Sequence, residues 1–262
     1  MNLHMLTTIL SFMDTYLLMD AVIPDLDDPQ EILPPDMRWT MWDDSRITSE
    51  FQSLVHATGW KEERNSKAKL ITIHSLWSKA YNRRIFKSTA EFPNTAEEVM
   101  NAIWVEAMQS TAWNTNVGRH KFLTYAGRNK MMVWQQTAPT PGNILSPRDF
   151  TNYYFRITCA GSDAENLGTR TCEDGTPNMV MYSNATGHVN YPGDEDAVKA
   201  TAGSSGFMVR RITQDPPKTE YTFVMNSELQ LPSLVPESVL RRVIVGSMFK
   251  LTRDLQDFLR SQ

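Results

Sequence analysis

Cysteine is scarce in this sequence. Two occur in 262 residues, Cys159 and Cys172. Two thiols make no disulfide framework, and they read as buried thiols of a reducing compartment. The five histidines are scattered, with no HxxxH and no CxxC spacing, so no metal centre is indicated. Neither GxxxxGK nor GxGxxG occurs, which removes the usual phosphate-cradling loops. Basic residues are outnumbered, 26 against 30 acidic, for a net charge of −4. A nucleic-acid binder would need a basic footprint that this chain lacks. Long uncharged apolar runs are also missing. The most apolar stretch, Leu3–Ile23, carries Asp14 and Asp20, which are costly in a bilayer. It has no basic n-region and no small-residue cleavage site, so it does not read as a signal peptide. An amphipathic helix or a poorly ordered leader is the expectation. Pro24–Asp44 follows with four prolines and seven acids against Arg38, a linker composition. Residues 1–44 are thus expected to be leader and linker, and 45–262 the folded domain. The acidic leader is the candidate contact for a protein partner.

What remains is ample for one core. The chain is 41% hydrophobic and holds fifteen methionines, whose flexible thioethers suit irregular cores and adaptable pockets. Ile47, Phe51, Leu54, Val55 and Thr58 fall at helical spacing, with Gly59 in place as the C′ residue. Trp60–Lys61, Leu70–Ser75 and Arg84–Phe92 read as strands. Thr95–Glu98 is a capping box, opening a helix through Val99, Ile103, Trp104 and Ala107. Beyond Trp113–Asn114 the pattern is almost all strand. The runs are Phe122–Tyr125, Lys130–Thr137, Phe150–Thr158, Thr169–Cys172 with Met179–Ser183, Ala197–Ala202 with Gly206–Ile212, and Thr219–Ser227. Pro236 opens a final long helix with the stripe Leu240, Ile244, Met248, Leu251, Leu255 and Phe258. This order predicts an α+β fold, a curved antiparallel sheet wrapped around the terminal helix with a cavity between them.

The stretch Gly142–Ile157, a Pro/Gly loop feeding a long strand, organises the rest. Side chains alternate on a strand. Phe150, Asn152, Tyr154 and Arg156 therefore share one face, and Thr151, Tyr153, Phe155 and Ile157 the other. Such a strand suits a wall between a ligand cavity and a second layer.

The chain resembles the START lipid-transfer domain family, with its helix-grip fold. The likeness runs from Phe51 to the C-terminus. It rests on Gly59-Trp60-Lys61, Arg84-Ile85-Phe86-Lys87, Trp113-Asn114, Gly142 to Phe150, Ala197-Val198-Lys199-Ala200, and Leu234 to Val239. The Gly142–Phe150 segment is similar to the sterol-binding branch, that of the steroidogenic acute regulatory proteins. The resemblance implies one amphipathic lipid, with a sterol such as cholesterol favoured, carried between membranes in an internal tunnel. The C-terminal helix and the loop Thr137–Ser146 would close that tunnel. Ile144 and Leu145 at the loop tip would meet the membrane during exchange.

Relatives in the sterol-binding branch keep a buried acid before this loop and an arginine after it. Here Gln135 and Tyr154 occupy those places, a neutral pair free of the desolvation cost of two charges. The expected ligand contacts are Met131, Val133, Gln135, Phe150, Tyr154, Arg156, Met181, Met248 and Leu251. Arg156 is the candidate phosphate partner should the lipid be of the phosphatidylcholine type. Lys199, standing where the family has arginine, reads as structural. Arg148-Asp149 read as makers of turn and strand-edge hydrogen bonds. No cofactor is implied, and no Ser/His/Asp arrangement or paired carboxylate supports enzymatic turnover on the same fold. A lipid-sensing regulatory module is the remaining alternative. The expected setting is cytoplasmic, with peripheral contact to intracellular membranes, mitochondrial or endosomal.

Overall fold

The computed structural model describes residues 43–109, 113–127, 129–140, 145–160, 170–171, 177–185, 193–231 and 235–262. Helix α1 spans Asp44–Val55, followed by β1 (Lys61–Ser66), β2 (Ile71–Ser78) and β3 (Arg83–Phe92). Helix α2 (Ala96–Gln109) leads into β4 (Val117–Gly127), β5 (Lys130–Thr137) and β6 (Arg148–Ile157). Next come the short β7 (Cys159–Ala160) and β8 (Arg170–Thr171), then β9 (Asn178–Asn184), β10 (Val198–Lys199) and β11 (Thr201–Ala202). Strands β12 (Ser205–Gln214), β13 (Pro217–Met225) and β14 (Ser227–Glu228) precede helix α3 (Glu237–Arg260). No helix among the described residues is long and apolar enough to cross a membrane.

One open sheet of ten strands runs β1-β2-β3-β13-β12-β9-β6-β5-β4, with β10 added beside β6. Every pairing along this path is antiparallel, and only β10 lies parallel to its neighbour β6. The sheet separates two cores. Inside its curve, α2 and α3 pack Val99, Ile103, Met248 and Leu255 against Ile73, Met131, Val180 and Tyr221. Outside it, α1 packs Ile47, Phe51, Leu54 and Val55 against Ile85, Tyr153, Phe155, Met179 and Met181. The alternation expected for β6 is present: Tyr154 joins the inner core while Tyr153 and Phe155 join the outer one.

Local chemistry explains the element ends. The Thr95 capping box forms as its sequence predicts. The Thr95 amide donates to Glu98 Oε2 at 2.9 Å, and the Glu98 amide donates to Thr95 Oγ1 at 3.2 Å. Helix α1 starts earlier than expected. Asp43 is its N-cap, accepting the Arg46 amide at 2.9 Å, and Asp44 is its first residue. Asp44 also accepts the Tyr153 hydroxyl at 2.9 Å and pairs with Lys130 at 2.7 Å. Two residues assigned to the linker by composition thus belong to the domain. The helix also ends earlier, at Val55 with His56 as C-cap. Gly59 is therefore not its C′ residue; with φ of 83° it makes the turn into β1.

Helix α3 begins after Pro236, as expected, and lies in the curve of the sheet. Its apolar stripe is pinned by polar contacts. Thr252 and Ser88 share a buried hydrogen bond of 2.8 Å. Gln256 Nε2 donates to the carbonyls of Lys69 at 3.0 Å and Glu91 at 3.3 Å. Phe258, the last residue of the predicted stripe, stacks on Trp113 with centroids 6.2 Å apart.

Candidate functional site

A cavity of about 720 Å³ lies between the sheet and α3. Its walls are largely apolar, with Leu145, Phe150, Phe223, Ile244, Met248 and Leu251 facing the space. A group of neutral polar side chains, Gln135, Asn152, Tyr154 and Tyr182, shares the lining. No Asp, Glu, His or Cys lines the cavity among the described residues.

The polar group is set by strand register. Gln135 lies opposite Phe150, Val133 opposite Asn152 and Met131 opposite Tyr154. Across the other edge of β6, Tyr154 lies opposite Tyr182. Opposed residues share a face, so Gln135, Asn152, Tyr154 and Tyr182 converge on the cavity. The Tyr154 hydroxyl donates to Gln135 Oε1 at 3.0 Å. The neutral donor–acceptor pair inferred from sequence therefore forms. The Tyr154 and Tyr182 rings stack with centroids 4.9 Å apart and planes 26° apart. Burial pushes the Tyr154 phenol well above its ordinary range, and Tyr182 and the buried Glu106 carboxylate add to this. The Asn152 amide acts in the opposite direction through a hydrogen bond. Burial also raises the Tyr182 phenol, against a smaller opposing hydrogen bond from Ser205. Both phenols stay protonated over the working pH range, so the polar group is uncharged and able to donate.

Arg148 lines the cavity beside Phe150. Its buried guanidinium donates to three carbonyls: Ser146 at 2.5 Å, Leu229 at 2.9 Å and Gln230 at 3.2 Å. Its own amide donates to Thr137 Oγ1 at 2.9 Å. The Arg148 side chain thus ties Ser146 to the segment after β14, and its main-chain amide holds Thr137 at the other end of the loop. Asp149 accepts from Lys199 at 2.5 Å and from the Asp194 amide at 3.1 Å, locking β10 alongside β6. Arg148 and Asp149 make turn and strand-edge hydrogen bonds, as expected, and Lys199 pairs with Asp149; Arg148 also lines the cavity.

The sequence-derived contacts divide into two sets. Gln135, Phe150, Tyr154, Met248, Leu251 and Leu145 line the cavity. Met131 and Val133 are fully buried on the same face but beside the cavity, in the core shared with α2. Met181 is on the wrong face. Its neighbour Tyr182 turns inward, so Met181 packs outside the sheet against α1. Arg156 shares the inner face but lies beyond the end of the cavity. There its Nε donates to Asn129 Oδ1 at 2.7 Å, and its guanidinium sits 4.9 Å from the Trp104 ring centre. It is not placed to meet a phosphate in the cavity. Leu145, expected to be exposed at a loop tip, is 6% exposed and turned inward. Thr140 Oγ1 holds it, accepting its amide at 2.8 Å and donating to its carbonyl at 3.1 Å. Ile144 lies outside the described residues. Sequence reasoning missed Asn152 and Tyr182 as cavity residues. Asn152 was legible on the face shared with Tyr154; Tyr182 was not, because β9 is apolar on both faces at its centre.

The comparisons with known proteins agree with this geometry. The START domain family matches residues 48–262. The mitochondrial steroidogenic acute regulatory protein of Danio rerio is 26% identical over 178 residues, 68% of this chain and 56% of that protein. Its Homo sapiens counterpart is 25% identical over 158 residues, 60% of this chain and 49% of that protein. The chain spans about half the length of the curated relatives it matches. Human StAR-related lipid transfer protein 5 superposes with a TM-score of 0.64 at 16% identity, over 83% of this chain and 94% of that one. Human STARD10 superposes at 0.60 with 14% identity, over 84% and 80%. At these identities the superpositions establish the helix-grip fold. With that fold and a sequence match from within α1 to the last residue, this chain belongs to the START domain family.

Proposed function

We propose that this chain is a non-enzymatic carrier of one lipid, with a sterol as its cargo, exchanging it at membrane surfaces. The observation that carries this reading is the cavity itself. At about 720 Å³ it falls within the range of small-molecule sites, roughly 300–1,000 Å³. Its apolar walls suit a hydrocarbon body, and its uncharged polar group suits a lone hydroxyl. The described lining holds no carboxylate, imidazole or thiol, so a carboxylate or histidine base or a thiol nucleophile would have to come from elsewhere, which supports a carrier over a catalyst. The similarity to steroidogenic acute regulatory proteins supports a sterol over other lipids.

One observation favours a second reading. Arg242 and Lys250 of α3 also line the cavity, and a phospholipid would place its phosphate near them. Organic extraction of the purified chain followed by mass spectrometry separates the two. A stoichiometric sterol supports the first reading. A stoichiometric phosphatidylcholine, with binding lost in Arg242→Met, replaces it with the second. Turnover of a small substrate by ligand-free protein would refute both.

A further inference from the structure

Asn152 has a buried acceptor that meets no donor among the described residues. The residue is 3% exposed and lies on β6 between Phe150 and Tyr154, within the cavity lining. Its Oδ1 has no hydrogen-bond partner among the described residues. Folded proteins seldom leave such an atom unmet without a reason.

The neighbouring group complements it. Gln135 Oε1 is already occupied by the Tyr154 hydroxyl at 3.0 Å. That leaves the Gln135 amide N–H groups as donors. Gln135 faces Phe150 across the β5–β6 ladder, so Asn152 is its diagonal neighbour on the same face. Diagonal neighbours stand roughly 7–8 Å apart, close enough for one ligand atom to lie between their side chains. The site therefore presents one open acceptor and one open donor. A hydroxyl satisfies both at once, donating to Asn152 and accepting from Gln135. A ketone satisfies only Gln135 and sets its lone pairs against Asn152 Oδ1. A carboxylate does the same with added charge.

We propose that Asn152 is the specificity-determining residue of this cavity, accepting a hydrogen bond from a ligand hydroxyl, so that the protein takes lipid alcohols and rejects the matching ketones. This rests on the carrier reading above and adds the chemistry at the recognised end.

The test is displacement of the fluorescent sterol dehydroergosterol by cholesterol and by cholest-4-en-3-one. Hexadecan-1-ol and hexadecan-2-one, each titrated against tryptophan fluorescence, form a second pair. Wild type binds each alcohol about five- to tenfold more tightly than its ketone, the loss of one hydrogen bond. Asn152→Leu removes the acceptor at similar volume and brings both ratios close to one. The variant loses an unmet buried oxygen along with the amide contact to Tyr154, two opposing effects, so its unfolding midpoint stays within a few degrees of wild type. An alcohol preference in the hexadecane pair without sterol binding overturns the sterol reading and upholds the hydroxyl site. Ketone preference in wild type, or an alcohol preference that survives in folded Asn152→Leu, overturns the assignment of Asn152. Equal binding of alcohol and ketone by wild type in both pairs overturns it as well.

Discussion

Tyr154 meets the cavity with its hydroxyl proton already committed to Gln135. Tyr154→Phe removes that proton at nearly constant volume and leaves Gln135 Oε1 without its donor. The expected cost is about 1 kcal/mol of stability in urea unfolding, with sterol affinity changed less than about twofold. A fivefold loss of affinity at unchanged stability would show that the phenol meets the ligand directly. His120 offers a residue-scale test of burial. Its Nε2 lies 2.9 Å from the Ala107 carbonyl, beneath the end of α2. Burial lowers its pKa below the ordinary 6.5, against a smaller raising effect of that carbonyl. A depressed folded pKa means that the neutral ring is favoured in the folded state. Its stabilising contribution is full above about pH 6.5 and is lost as pH falls through the folded value. Wild type should therefore lose more stability between pH 8 and pH 5 than His120→Gln does. A difference between the two proteins that stays constant across that range would refute it. His74 shifts in the same direction, by burial first and by Lys87 second, so it remains as background in both proteins.

At the scale of elements, α3 carries an avoidable weakness. Gly246 sits in the middle of the helix, lines the cavity, and a Cβ built there meets no atom within 4 Å. Glycine inside a helix costs about 1 kcal/mol relative to alanine, so Gly246→Ala should raise the unfolding midpoint. A drop in that midpoint would mean that α3 bends at this point. The helix was legible in the sequence because its apolar stripe repeats at helical spacing over six positions, and the β6 wall was legible because its two faces differ in chemistry. Strand β9 was not. Its central residues, Met179 to Tyr182, are all apolar or aromatic, so nothing in them says which face turns inward. Only the pairing of Tyr182 with Tyr154 decides it, and that register is a property of the sheet. The start of α1 was hidden for a different reason. Asp43 and Asp44 look like the end of an acidic linker, yet one caps a helix and the other receives Tyr153 and Lys130. Arg156 was placed on the correct face, but the face runs on past the cavity. The inward turn of Leu145 depends on the Thr140 hydroxyl, a contact between two loop residues that follows no periodicity.

For the whole molecule, the outer helix sets where the chain can be cut. A chain beginning at Asp43 keeps the cap and the Asp44 contacts, and it should unfold within a few degrees of the full chain. A chain beginning at Ser45 loses both, and should be less stable by about 1–2 kcal/mol. Thermal unfolding of the pair checks this, and equal midpoints would show that α1 contributes little beyond its apolar face. The sheet between the cores also bears on how such a molecule can change over generations. Strand β6 gives its even-numbered side chains, Phe150, Asn152 and Tyr154, to the cavity and its odd-numbered ones, Tyr153 and Phe155, to the outer core. Point substitutions at the even positions can reshape the cavity while α1 keeps its seat. Loss or gain of one residue within the strand would exchange the two sets, turning Asn152 and Tyr154 toward α1 and bringing Tyr153 and Phe155 into the cavity. A substitution at an even position of β6 therefore changes what the cavity accepts, whereas a change in the length of β6 would undo cavity and outer core together.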